Sequence, residues 1–184
     1  MTGVTGISGS PWRRLAAFGV DYLVIAGYIA LLTAVGVGLL RLRGEPPAGP
    51  STLRARLLGH AAAFVTLTLP VALYFALWEA SPWQATPGKR GLGLRVVLVS
   101  GGRRVPFGRA LLRAAVKLAP WELAHTALWH TPGWPVRPEP TAATAAGSGA
   151  ALLLAAWYVL GLFGGARRPP YDQAAGTRVV GPGP

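Results

Sequence analysis

Cysteine and charge are what this sequence has least of. There is no cysteine in 184 residues, so disulfides and thiolate metal centres are excluded. Acidic residues number six, and charged residues of both signs make up 13% of the chain against 52% hydrophobic, a balance foreign to an ordinary soluble domain. Lysine is confined to Lys89 and Lys117, so the net charge of +12 is carried almost wholly by arginine. On a soluble domain that charge would suggest nucleic acid. Here the basic residues alternate with long apolar runs and no groove-reading motif accompanies them, so the expected partners are the lipid bilayer and its anionic head groups, not nucleic acid. A secretory leader is not legible either: residues 1–10 carry no charge, Arg13 and Arg14 precede an apolar stretch longer than an h-region, and the first helix reads as retained.

What the sequence does have is membrane segments. Residues 1–10 read as a flexible N-terminus and 181–184 as a tail, with a membrane domain over 11–180 between them. Spans are expected at 12–40, 57–79 and 144–164, with 119–131 as a short or re-entrant segment too brief for a clean crossing. Residues 86–118 read as a cytoplasmic hairpin, with Gly101-Gly102 at its turn, followed by an amphipathic helix. The fold class is an all-α membrane protein: a small transmembrane helical bundle of three to four segments, with a cytoplasmic amphipathic helix and a short β-hairpin. Pro70 interrupts the second span and frees a carbonyl that Thr66 and Thr68 are close enough to help satisfy. Gly19, Ala26, Ala30, Ala34 and Gly38 form a small-residue stripe that permits a homo-oligomer. Basic residues concentrate on one side when both termini are cytoplasmic, which is the orientation expected of this multi-pass chain.

Asp21 is the only charge between Leu15 and Leu40. An ionisable group inside such a segment is costly and needs a partner. Arg14 shares its face, about 10 Å away along the axis, and is expected to snorkel to the interface, leaving the partner of Asp21 to come from elsewhere. Arg109, Arg113 and Lys117 recur every four residues as a basic face suited to lipid head groups. Gly88-Lys89 in TPGKRG does not make a phosphate loop, because the preceding glycine and the following Ser or Thr are missing.

Three segments carry a resemblance. WRRLAAFGVDYLV, TPGKRGLGLRVVLVSGGRRVPFGRALLRAAVK and RRPPYDQAAGTRVV together resemble the RDD family of bacterial membrane proteins, named for an arginine and two aspartates. Arg14, Asp21 and Asp172 match those three, as a candidate ion or ligand site. Pro170-Tyr171 stands where the family usually has Leu-His, so no role is carried over for that histidine. The resemblance covers nearly the whole chain outside 41–56 and 131–145. It implies a multi-span inner-membrane protein without a settled activity; transport of an unidentified ligand, and sodium/proton exchange for some members, have been suggested.

On the expected topology Arg14, Asp21, Glu79, Glu122, His125 and Asp172 converge at the cytoplasmic side, with Lys89, Arg90, Arg113 and Arg178 near enough to pair with them. His60 and His130 fall toward the opposite side. Three functions fit. The cluster is a vestibule through which an ion or small solute is transported, or it is a structural lock for helix ends and tail. Third, Glu122 and His125, one turn apart, serve a metal-dependent enzyme. A single such pair lacks the further ligands a metal needs, so no metal ligand, cofactor or catalytic residue is assigned.

Overall fold

The computed structural model describes residues 7–44, 50 and 52–182. The sequence expectations for residues 1–6, 45–49, 51 and 183–184 lie outside the described residues.

Among the described residues three helices are long and apolar enough to cross a membrane: α1 (Pro11–Arg43), the helical run Leu53–Ala80, and α6 (Ala142–Phe163). Proline at the first position of α1 loses no helical hydrogen bond, and Gly44, at φ +66°, ends the helix in the left-handed region after Arg41 and Arg43. The second run consists of α2 (Leu53–Ala63), a π-helical turn over Phe64–Thr68 and α3 (Leu69–Ala80). Thr52 caps α2 by accepting from the Ala55 N–H at 3.1 Å. Thr141 and Thr144 cap α6 reciprocally, each hydroxyl accepting from the other's backbone N–H. Leucines left bare on these helices, such as Leu23, Leu152 and Leu153 at 72%, 73% and 75% exposure, suit a lipid surround rather than water.

The remaining elements are α4 (Pro87–Gly91), α5 (Phe107–His130), α7 (Pro170–Ala174) and the strands β1 (Ile7–Ser8), β2 (Arg95–Leu98) and β3 (Thr177–Gly181). The strands form one antiparallel sheet in the order β1-β3-β2, with Arg95 opposite Val180 and Leu98 opposite Thr177. The expected hairpin is present as a turn: the Leu98 N–H donates to the Arg103 carbonyl, and Gly101 and Gly102 supply the positive φ. Its second arm shrinks to a single bridge, Val97 to Arg104, because Pro106 and the start of α5 follow at once. The free edge of β2 is taken instead by β3, far away in sequence.

The chain forms two compact units. The first comprises the described part of Met1–Val24, with Val71–Leu118 and Ala155–Pro184; its core includes Ala17, Phe75, Ala76, Leu94, Val96, Val105, Ala114 and Val179. The second comprises the described part of Ile25–Pro70, with Ala119–Leu154.

Prolines inside two helices each leave the carbonyl four residues earlier without its donor. In both cases a tyrosine from another helix supplies one. Tyr28 of α1 donates to the Thr66 carbonyl at 2.5 Å, below Pro70, and Tyr158 of α6 donates to the Val116 carbonyl at 2.9 Å, below Pro120. The threonine hydroxyls expected to help at Pro70 are used elsewhere: Thr66 donates to the Ala62 carbonyl and Thr68 to Glu122.

Candidate functional site: a buried chain of alternating charges

The first unit buries three carboxylates, Asp21, Glu79 and Asp172, each at 0% exposure. Left unpaired, any one of them would be prohibitive. Each is instead a link in a chain of opposite charges. Arg14 donates to Asp172 Oδ2 at 2.5 Å. Arg113 donates from Nε to Asp172 Oδ1 at 2.8 Å and from its terminal nitrogen to Glu79 at 2.6 Å. Lys89 Nζ donates to Glu79 at 3.0 Å and lies 4.0 Å from Asp21. The sequence of links, Arg14–Asp172–Arg113–Glu79–Lys89–Asp21, begins and ends on α1 and sums to zero formal charge.

Local structure sets each member. The start of α1 presents Arg14, whose other terminal nitrogen donates to the Arg167 carbonyl at 2.6 Å. This corrects its expected snorkelling: Arg14 is buried because the C-terminal segment covers it. Asp21 does not bond to Arg14. It meets the TPGK turn, where Thr86 caps α4 and donates its hydroxyl to Asp21 Oδ2 at 2.5 Å. The Gly88 N–H donates to Oδ1 at 2.9 Å and the Tyr74 hydroxyl at 3.0 Å. Gly88 has to be glycine: a Cβ there would run into the Ala17 carbonyl and the Asp21 carboxylate. Asp172 lies in α7, and the Thr177 hydroxyl at the start of β3 donates to it at 3.2 Å. All six oxygens of the three carboxylates thus accept at least one protein donor.

Arg113 departs from its expected place on a lipid-facing stripe. It is 2% exposed, forked between two acids, and its guanidinium lies 5.0 Å from the Tyr171 ring centroid. Burial works against its charge, but Asp172 and then Glu79 override that and raise its pKa above the ordinary value. Burial, followed by Asp172, also pushes the Tyr171 phenol upward. Lys117 also turns inward, its Nζ 3.5 Å from the Phe75 ring centroid and 5.0 Å from that of Phe18. By area Lys117 keeps some exposure. Its amine is nonetheless crowded: burial first, and then Lys89, push its pKa well below the ordinary value. Of the expected stripe only Arg109 is exposed. Arg90 packs over the Trp83 ring at 5.0 Å, and Arg178 Nε is buried without a partner among the described residues, so neither joins the chain of charges.

Glu122 and His125 do not join it either. They belong to the second unit, where Glu122 lies 2.9 Å from His60 and accepts from Thr68 at 2.7 Å. His60 and His130, expected on the opposite side from this pair, pack with it: the His60 ring centroid is 6.5 Å from that of His125 and 5.9 Å from that of His130. The expectation failed because Glu122 lies in the interior of α5 alongside α2, whereas the expected topology set it at the start of a short segment entered from the cytoplasmic side. Among the described residues no group of three or more His, Asp or Glu side chains is placed to hold a metal ion.

Thr86, Tyr74 and Thr177 carry no signal of their own in the sequence, and Gly88 stands out there only in a rejected phosphate loop. TPGKRG held Thr86 and Gly88 in plain view, but only as a motif without a partner.

The model of the RDD family matches residues 8–176. No curated protein and no solved structure matches the chain.

Proposed function

Because the chain belongs to the RDD family and carries three apolar helices long enough to span a bilayer, we propose that its family-defining residues act as a structural lock in a multi-pass inner-membrane protein. Arg14, Asp21 and Asp172, joined through Arg113, Glu79 and Lys89, fasten the first helix to the TPGK turn, α5 and the C-terminal segment. One observation carries this reading: every oxygen of Asp21, Glu79 and Asp172 already accepts from a protein donor, and each carboxylate is buried against at least one protein cation. Buried ion pairs with satisfied hydrogen bonds hold partners in register; they are lost expensively when one member is removed.

The orientation proposed puts both termini on the cytoplasmic side. Every charged side chain exposed on the first unit is an arginine (Arg13, Arg90, Arg95, Arg103, Arg104, Arg109 and Arg167), while its acids are all buried. Such a surface favours anionic head groups and cytoplasmic retention.

Transport is the second reading, and one distance favours it. Lys89 is 4.0 Å from Asp21 but 3.0 Å from Glu79, so the last link of the chain is the loosest, and a swing of Lys89 would release Asp21 to bind a proton or cation. Asp21→Asn in proteoliposomes separates the two. The lock predicts a fall in membrane yield and thermal stability, with proton or sodium flux per molecule unchanged. Flux abolished at normal yield and stability would establish transport instead.

A further inference from the structure

The second unit holds a polar group that the chain of charges does not use. Glu122 on α5 is held by two neighbours: His60 Nε2 lies 2.9 Å from Oε1, and the Thr68 hydroxyl donates to Oε2 at 2.7 Å. His125, one turn along from Glu122, has its Nδ1 3.9 Å from Oε2. That nitrogen is shielded from solvent and has no hydrogen-bond partner among the described residues. The Trp121 ring covers His125 at 5.1 Å between centroids. Close approach of α2 to α5 builds the group: at Gly59 a Cβ would lie 2.5 Å from the Trp129 ring, and the next residue is His60.

A buried nitrogen without a partner is a standing cost to the fold. Protonation supplies a donor there, as does the neutral tautomer with its hydrogen on Nδ1, but only the imidazolium adds the positive charge that the Glu122 carboxylate favours. A neutral His125 with its hydrogen on Nε2 presents a lone pair at Nδ1. An imidazolium presents an N–H there, and a small rotation brings it to Glu122 Oε2. We propose that His60, Glu122 and His125 form a proton-binding site, separate from the charged chain, whose ligand is a single proton. The step is a simple transfer: hydronium gives up its proton, a water is released, and an N–H bond forms at His125 Nδ1. The imidazolium then pairs with the carboxylate that His60 already orients.

The other groups facing the site fit a count of one. His130 sits beside His60, but its Nδ1 is engaged with the Thr126 carbonyl at 2.9 Å. Arg56, one turn before His60 on α2, adds positive charge on that helix face and opposes a second proton. Tyr28, from α1, is committed to the Thr66 carbonyl. Uptake also has a mechanical consequence. Thr68, which shares Oε2, is the last residue of the π-helical turn, so a new donor at Oε2 competes with the contact that ties this turn to α5. Turns of this kind recur at functional positions within helices.

The test is a histidine titration of the full chain in lipid nanodiscs, read by nitrogen-15 NMR of labelled imidazoles. The His125 imidazole is expected to gain one proton in a single step as the pH is lowered. Glu122→Gln removes the stabilising carboxylate, and its midpoint is expected to fall by about one unit or more. Should Glu122→Gln fail to fold, His125→Gln serves: proton uptake by the whole chain over the same titration, measured potentiometrically, is expected to fall by one. Imidazoles that stay neutral throughout would overturn the proposal. So would a midpoint indifferent to Glu122→Gln, or uptake unchanged in His125→Gln.

Discussion

The backbone N–H of Gly88 donates to Asp21 Oδ1 at 2.9 Å, and the space between α4 and α1 at that point admits no side chain at 88. The first prediction follows from this pair. Gly88→Ala forces its methyl against the Ala17 carbonyl and the carboxylate, neither of which is a flexible end. Overpacking of this kind costs about 1–3 kcal/mol, and loss of the hydrogen bond to a buried carboxylate adds to it. A clear drop in thermal unfolding temperature in detergent is expected. Gly91→Ala, three residues on with nothing within 4 Å of its Cβ, is the control and is expected to unfold like wild type. Equal behaviour of the two variants would remove the close approach as the reason for glycine.

How far the sequence reached is visible in the same residues. The lone charge of Asp21 between Leu15 and Leu40 announced a buried partner, because an unpaired carboxylate in an apolar helix is ruled out on energy alone. Which partner it was could not be read: Thr86, Gly88 and Tyr74 are fifty or more residues away, and nothing in helical periodicity encodes a contact of that range. Arg14 shows the converse. Its position at a helix start fits snorkelling well, and only the folding back of the tail, with Asp172 and the Arg167 carbonyl, converts it to a buried donor. The spans were legible from apolar length. For β2, alternation and a Gly-Gly turn indicated a hairpin, but the strand pairs chiefly with β3, a non-local choice. At Pro70 the freed carbonyl was legible from the residue type, whereas its donor, Tyr28, lies on another helix.

Arg14 and Asp172 are expected to be energetically coupled. Removing one member of a buried pair leaves the other charge without compensation, at a cost of about 3–5 kcal/mol. Arg14→Gln and Asp172→Asn should each destabilise the protein on that scale, Asp172→Asn the more because it also abandons Arg113. The double variant should be less damaged than the sum of the two, by about 0.5–3 kcal/mol, as residues in direct contact are. A double-variant cycle read by thermal or denaturant unfolding measures this. Strict additivity would mean that the two side chains stabilise the fold independently, and the chain of charges would lose its first link.

Lys117 gives the pH prediction. Its amine is pushed below the ordinary value of 10.5, so above its own folded value the unfolded chain binds a proton that the folded one does not. Stability then rises with pH through the window that ends near 10.5, because the unfolded state holds more protons there. Put the other way, the charged form is penalised in the fold, and the penalty grows as pH falls below 10.5. Lys117→Met removes the titrating group and keeps a long apolar side chain over Phe75. It is expected to unfold at a higher temperature than wild type near neutral pH, with the gain shrinking as pH approaches 10.5. A gain that is absent at neutral pH, or constant across the range, would show that the contact with the Phe75 ring at 3.5 Å sustains the charge fully.

Tyr158 and Pro120 make the last prediction, because here the defect and its repair can be removed separately. Pro120 has no N–H to give the Val116 carbonyl, and the Tyr158 hydroxyl gives one at 2.9 Å. Tyr158→Phe keeps the ring and leaves the carbonyl without that donor, at a cost of about 1–2 kcal/mol in an apolar surround. In a Pro120→Ala background the helix supplies its own N–H to Val116, and the same Tyr158→Phe change should then cost under about 0.5 kcal/mol, no more than an ordinary surface substitution. Unfolding of the four proteins under one condition gives both numbers. If Tyr158→Phe is equally harmful with alanine at 120, the hydroxyl stabilises the protein independently of the bond that proline removes, and the pairing of defect and repair is overturned.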